Sequence, residues 1–490
     1  MENQTIISAN RKELLGGVLF REKAEFFDPE NKKILGMSAK TKILGCETVA
    51  GAVKVDLKTT FRLVFRAEDG TFRHDIAETE QTETITDERI TPTTKICLFA
   101  TVTETKKNGG NLEATAEVSG WFVIENELNV LNACVPDVYC KTAPFKAETA
   151  TALAPGGLTL TYTDESRMNV DHLVDYAVEA NVTNVFSNAG SYRIEGDVYI
   201  RILAQSDDGQ CFGQLFTHTF GTEISDDRIT PESDVDVDVT VKNAELSLAD
   251  GDKRMIICDV ALSFCGSQSE TVEKETIVDA FSPAREITVK SEEKVVTEAF
   301  CMRSLREKIT GKLSPEGGIN ELFGVLDPAV SVSLSTENGS YCLEGVLQAN
   351  VLYLSNEDIS RGQTAEIPFR IPLAFDTRCD SFALPSVIVT NVAAKSRGGE
   401  VDLSFEAIVN LKGVSEKTIC VVSAIETGAP KEENDFAISL YIVQKGETLW
   451  DVAKALNTSE EILLRQNADV PLPLSGGEKV ILYRELPFDR

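Results

Sequence analysis

One strand pattern comes back three times along this chain, and its spacing rules out most folds. From Val53 to Phe65, apolar residues and one threonine take every second position, and mainly charged residues take the others. A period of two sets one face on a core and the other in water. The turn Glu68-Asp69-Gly70 follows. The pattern returns 139 positions later, with Tyr192, Ile194, Gly196, Val198, Ile200 and Ile202 inward and Asp207-Asp208-Gly209 as the turn. At the same offset, Asp87-Glu88-Arg89-Ile90-Thr91-Pro92 is matched by Asp226-Asp227-Arg228-Ile229-Thr230-Pro231. A third copy lies 149 positions further on, where Ser191-Tyr192-x-x-Glu195-Gly196 becomes Ser340-Tyr341-x-x-Glu344-Gly345. There Phe375-Asp376-Thr377-Arg378 stands near the place of the lost Asp-Arg-Ile-Thr-Pro element.

Each copy closes with another hairpin, whose turns are Asn108-Gly109-Gly110, Asp250-Gly251-Asp252 and Arg397-Gly398-Gly399. The fold class is therefore mainly β: three tandem antiparallel β-domains, each a sandwich or open barrel, followed by a small βααβ domain. The expected divisions are an N-terminal segment 1–20, repeats at 21–130, 166–275 and 316–426, connectors at 131–165 and 276–315, a linker at 427–438 and a last module at 439–485. The charged stretch Ser291 to Leu313 is expected to be partly helical. In Glu78-Thr79-Glu80-Gln81-Thr82-Glu83 alternate positions are polar on both sides, which predicts an exposed edge or a loop.

The chain has 490 residues, 42% of them hydrophobic, enough for several packed cores. Its formal charge of −30 argues against nucleic acid and anionic lipid as partners. The start lacks a basic segment followed by an apolar run, so no export signal is expected, and no apolar stretch is long enough to span a bilayer. Eleven cysteines occur singly, without metal-ligand spacing. Cys46, Cys97, Cys258, Cys342 and Cys420 lie in apolar strand segments and read as reduced, buried and structural.

The last 50 residues change character. Leu440 to Val443 is a short strand and Gln444 to Glu447 a turn. Thr448-Leu449-Trp450-Asp451 and Thr458-Ser459-Glu460-Glu461 are capping boxes, each opening a helix. Gly476-Gly477-Glu478 turns into a closing strand. The residues Tyr441-x-Val443-x-x-Gly446-Glu447-Thr448-Leu449-Trp450-x-x-Ala453, with Asn467 and the glycine-rich turn, resemble the LysM family. The resemblance implies a binding module for N-acetylglucosamine chains such as peptidoglycan. It places a groove between Gly446, Glu447, Thr448 and Leu449 on one side and Asn467, Val470, Pro471, Leu472 and Leu474 on the other. Leu449 and Trp450 also suit the core, and Thr448 suits a helix cap. Asn467-Ala468 and Gly476-Gly477-Glu478 stand where the family often has Asn-Pro and Pro-Gly-Gln. Those changes turn the expected ligand of the groove from sugar towards protein.

Three acidic β-repeats before a terminal LysM are similar to the SPOCS-domain (DUF3794) proteins of spore-forming Firmicutes. Tyr192/Gly196 and Tyr341/Gly345 carry that resemblance, and the first copy departs from it with Val53 and Leu57. It implies a spore-coat scaffold in the mother-cell cytoplasm at the forespore surface, with the coat morphogenetic ATPase SpoIVA as partner. No enzyme is expected. His74, His172 and His218 have no partner at metal-binding spacing, and no phosphate-binding glycine loop occurs. No cofactor and no metal site are expected.

Overall fold

The computed structural model describes residues 4–26, 33–108, 110–131, 136–337, 340–373, 381–431 and 437–484. Phe375-Asp376-Thr377-Arg378, Gly109, Cys134 and residues 432–436 of the linker before the last module lie outside the described residues. In chain order, β1 (Gln4–Ser8) precedes the first copy, which holds β2 (Arg11–Glu25), β3 (Ile34–Val49), β4 (Ala52–Arg66), β5 (Phe72–Thr86), β6 (Lys95–Asn108) and β7 (Asn111–Ile124). Next come β8 (Glu127–Leu131) and β9 (Tyr139–Ala152). The second copy holds β10 (Gly156–Glu165), β11 (Val170–Asn188), β12 (Ser191–Ser206), β13 (Cys211–Ser225), β14 (Asp234–Ala249) and the first half of β15 (Asp252–Phe281). The third holds the second half of β16 (Arg285–Leu313), β17 (Glu321–Val325), β18 (Ala329–Glu337), β19 (Ser340–Leu354), β20 (Ser360–Leu373), β21 (Ser381–Arg397) and the first half of β22 (Glu400–Pro430).

Every copy pairs these strands in the same way. One sheet runs β3-β4-β5, β11-β12-β13 or β18-β19-β20; the other runs β2-β7-β6, β10-β15-β14 or β16-β22-β21. In each copy two antiparallel sheets face each other over one core, a sandwich-like arrangement, and in the third β17 joins the first sheet by pairing with β19 beyond β18. In the first, Val53, Val55, Leu57 and Phe61 of β4 are fully buried. The Asp-Arg-Ile-Thr-Pro element clasps the hairpin turn. Gly51 and Gly190 each donate to the carbonyl of Ile90 or Ile229 at 2.9 Å, while the buried isoleucine plugs the sandwich end. Arg89 and Arg228 grip Asp87 and Asp226 through two nitrogens each.

The boundaries differ from those the sequence suggested. Each copy begins one strand earlier: β2 starts inside the supposed N-terminal segment, and β10 and β16 lie in supposed connectors. The stretch expected to be partly helical is β16, whose charged residues sit on a strand paired along its whole length with β22. The linker also starts later, since Thr427 to Pro430 belong to β22 and pair with β16. The acidic run from Glu78 to Glu83 is the edge strand β5.

The copies close into a ring about a pseudo-threefold axis. One buried cluster brings together Leu35, Val174 and Phe323 with Val64, Leu203 and Leu352, and each trio is spaced 139 and then 149 positions apart. Around it, equivalent residues reach to the next copy. Arg62 pairs with Asp175 and donates to the Tyr176 carbonyl at 2.9 Å. Arg201 meets Asp327 at 2.5 Å, and Asn350 donates to the Met37 carbonyl at 2.9 Å. Lys12, Asp236, Asp238 and Lys412 also bridge all three copies. Lys12 and Lys412 each contact Asp236 at 2.6 Å, and Lys412 contacts Asp238 at 2.6 Å.

The segments flanking the copies form a stalk. β1 pairs with β8, the outer half of β15 with β9, and the first half of β16 with the outer half of β22. Ile7, Leu128, Phe145, Val296 and Val421 share its core.

The cysteines depart from the expectation of uniformly reduced, buried thiols. Cys97 and Cys265, with Cα atoms 6.1 Å apart, are joined in a disulfide between the first and second copies. Cys258 and Cys342 are buried, but Cys46 and Cys420 are exposed, because they fall on outward positions of their strands.

Candidate binding module

The C-terminal module consists of β23 (Ile438–Ile442), α1 (Leu449–Ala455), α2 (Glu460–Gln466) and β24 (Lys479–Tyr483), with the two strands antiparallel. Its core is Val443, Trp450, Val452, Ala453, Leu456, Leu463, Val480 and Leu482. Helices this short are not stable alone, so this shared core holds them.

Local hydrogen bonds shape the two loops expected to flank the groove. Gly446 has φ of +91°, which suits glycine. The Glu447 carboxylate accepts from the Gln444 backbone N–H at 2.7 Å and from the Tyr441 hydroxyl at 2.8 Å. The Thr448 backbone N–H and hydroxyl both donate to Asp451 at 2.7 Å, starting α1 as expected. These bonds hold the Asp451 carboxyl below its usual range. The second helix is capped one residue later than expected: the Ser459 hydroxyl, not Thr458, accepts from the Ile462 N–H at 3.2 Å.

On the other side, Asn467 is committed to the framework. Its amide donates to the Leu463 and Ile481 carbonyls at 2.9 and 2.7 Å and accepts from the Ile481 N–H at 2.8 Å. Glu478 is likewise used internally. It accepts from the Ser475 N–H, the Ser475 hydroxyl and the Gly476 N–H at 2.9, 2.6 and 2.8 Å. These donors favour the carboxylate and bring its pKa down to about 2. A Cβ on Gly476 would lie 3.0 Å from Lys445 Cα, so the backbones of the two loops touch there.

The groove residues therefore divide in two. Gly446, Thr448, Pro471 and Leu472 are exposed, Leu472 by 54%, and Val470 is half-buried between them and the fold. Leu449 and Leu474 pack on the core. Glu447 and Asn467 hold the loops through the bonds above.

A second surface was not apparent from the sequence. The sheet face opposite the helices carries Ile438, Leu440 and Ile442, exposed by 60, 58 and 52%, with Tyr483 and Ile481 beside them in register. Alternation misleads here, since Ile438-Ser439-Leu440-Tyr441-Ile442 sets its aliphatic residues on the face that stays in water.

The module is also seated on the stalk. The Trp450 indole donates to Asp279 at 2.8 Å, and Lys454 meets both oxygens of the same carboxylate at 2.8 Å. Burial opposes ionisation of Asp279, but Lys454 and Trp450 outweigh it and hold its pKa low. Phe281 completes the module's core, with its ring 5.0 Å from that of Trp450 in an edge contact. Lys431 bridges the Ser282 carbonyl and Asn457 at 2.9 and 2.7 Å. Beside this seat the Tyr139 and Phe281 rings meet, 5.4 Å apart.

The histidines lie on three different strands. His74 is on β5, where burial and Arg62 lower its pKa; His172 is on β11; His218, on β13, lies 2.8 Å from Asp164 and stacks on Tyr162 at 4.2 Å. Among the described residues, no group of three or more His, Cys, Asp or Glu is placed to hold a metal, and no helix is long and apolar enough to cross a membrane.

Residues 441–473 match the LysM domain family. No curated protein sequence matches the chain.

Proposed function

We propose that this chain is a non-enzymatic assembly scaffold whose three-copy ring and stalk present the LysM module to a protein partner. One observation carries this reading. The outer face of the LysM sheet leaves Ile438, Leu440, Ile442 and Tyr483 in water, although the opposite side of the module is packed and clamped to the stalk. Contiguous exposed apolar surface on a soluble domain marks a docking site. Clamping adds to its use, because a fixed orientation lowers the ordering cost of assembly. The order of three acidic β-repeats and one LysM resembles SPOCS-domain proteins, among them the clostridial spore-coat morphogenetic protein SipL. By that resemblance the partner is the coat ATPase SpoIVA and the place of action is the mother-cell side of the forespore surface.

The test uses the purified full chain with purified SpoIVA. Binding that falls at least tenfold in Leu440→Asp, with the fold intact by circular dichroism, supports the reading. No binding, or binding indifferent to that substitution, counts against it.

A second reading has its own support. Gly446, Thr448 and Leu472 remain exposed at a groove of LysM type, which suits N-acetylglucosamine chains of a wall or cortex. Co-sedimentation of the full chain with peptidoglycan, weakened by Leu472→Ala and not by Leu440→Asp, favours it.

A further inference from the structure

A cavity of about 500 Å³ lies between the three copies, walled by β3, β6, β11, β14 and β21. That volume falls within the range of small-molecule sites. Phe99 and Ile388 line it from positions that alternate with the core-facing residues of β6 and β21. Leu44 also lines it and is 52% exposed, which sets apolar surface beside an opening to solvent. One part of the wall is thus apolar, and the lining is drawn from all three copies.

The charges in this cavity run against those of the chain. Its lining holds Lys40, Lys42, Arg201, Lys242 and Lys412 against Glu179, Asp238 and Asp327, a local excess of cations in a protein of net charge −30. Lys40 pairs with Glu179, Arg201 with Asp327, and Lys412 with Asp236 and Asp238. Among the described residues Lys42 has no such ion pair: its ammonium meets the amide oxygen of Asn243 at 3.2 Å, with Glu78 and Glu245 as its nearby acids. Burial and the nearby Lys40 and Lys58 push its pKa down, and Lys40 in turn feels Arg201. Arg201 is 8% exposed, and its Nε has no acceptor among the described residues. A half-buried cation with no directly paired carboxylate and a buried N–H without an acceptor are both costly. An anion supplies what each lacks.

We propose that this axial cavity binds a small single-headed amphiphilic anion, its carboxylate held by the Lys42–Lys40–Arg201 row and its apolar tail laid along Phe99 and Ile388.

The full chain is titrated with decanoate by calorimetry, and with decyltrimethylammonium as the cationic counterpart. Saturable decanoate binding at one site per chain is expected, with no binding of the cation. Lys42→Gln removes the unpaired charge at a half-buried position, and Ile388→Trp fills the tail space. Each is expected to weaken decanoate at least tenfold while leaving the circular dichroism spectrum unchanged. Lack of saturable decanoate binding to the unmodified chain overturns the proposal. So does equal binding of the cationic amphiphile, or affinity unchanged in both variants. If Ile388→Trp fails to fold, Lys42→Gln and the cation comparison still decide it.

Discussion

The Trp450 indole N–H donates to the carboxylate of Asp279, 171 positions earlier in the chain, at 2.8 Å. The same carboxylate holds Lys454, so a single stalk residue fixes the first helix of the LysM module.

Asp279→Ala should therefore loosen the module without unfolding it. It leaves the buried indole N–H unpaired and removes the partner of Lys454, a loss of about 1–3 kcal/mol at the seat. Amide hydrogen exchange in α1 is expected to speed up while exchange in β12 and β19 stays unchanged. Unaltered exchange in α1 would show that the seat carries no weight.

The glycine of the repeated Tyr-x-x-Glu-Gly motif sits directly opposite a phenylalanine on the next strand. A Cβ on Gly196 would meet the Asn181 carbonyl at 2.3 Å and the Phe220 ring at 2.4 Å, and one on Gly345 would meet the Ser331 carbonyl and the Phe369 ring, each at 2.5 Å. In the first copy the paired residues are Leu57 and Gln81 instead. The two positions exchange bulk across the β4-β5, β12-β13 and β19-β20 pairs. Gly196→Leu alone should cost about 1–3 kcal/mol or more by overpacking. Adding Phe220→Gln should recover part of that loss. A double-mutant cycle in urea measures the coupling, and strict additivity would refute it.

Glu22 is fully buried in the first sandwich, and neither carboxylate oxygen has a hydrogen-bond partner among the described residues. Burial, with Glu83 nearby, pushes its pKa up from 4.5 to about 7. The unfolded chain therefore releases this proton at lower pH than the folded one. Stability tied to the group is complete below about 4.5 and is lost as pH rises towards 7. Glu22→Gln should raise the melting temperature at pH 8 and leave it nearly unchanged at pH 4. An equal shift at both pH values would contradict this.

Asn467 and Leu472 were expected to share one groove, yet they do different work. Asn467→Ala removes two hydrogen bonds to Ile481 of β24 and one to Leu463 of α2, and should destabilise the LysM module by about 2–4 kcal/mol, at roughly 1 kcal/mol per bond. Leu472→Ala, at an exposed site, should leave melting within about 0.5 kcal/mol of the parent. Chemical denaturation followed by backbone signals of α2 distinguishes the two.

How much of this was legible in the sequence depends on the range of the interaction. The period-two pattern of β4 and β12 and the fixed offset revealed three β-domains, because burial on one face writes itself into every second residue. The LysM helices were legible through Thr448 and Asp451, which act over three positions. The first strands of the copies were not, because β2 carries Gly16-Gly17 at an irregular register and β16 spends half its length in the stalk with charged residues on it. The ring trios such as Val64, Leu203 and Leu352 could be aligned by offset, but nothing local says that equivalents meet. Asp279 had no signal at all as a seat for Trp450, since a single carboxylate on a charged strand is ordinary.

The central claim is that the LysM module works through its outer sheet face as a protein-docking surface. The most direct measurement is the affinity of the full chain for purified SpoIVA and for peptidoglycan, each with the parent, Leu440→Asp and Leu472→Ala proteins. The account predicts that SpoIVA binding falls at least tenfold in Leu440→Asp alone and that peptidoglycan retains none of the three proteins. Retention on peptidoglycan that is lost in Leu472→Ala, with no measurable SpoIVA binding, would contradict it.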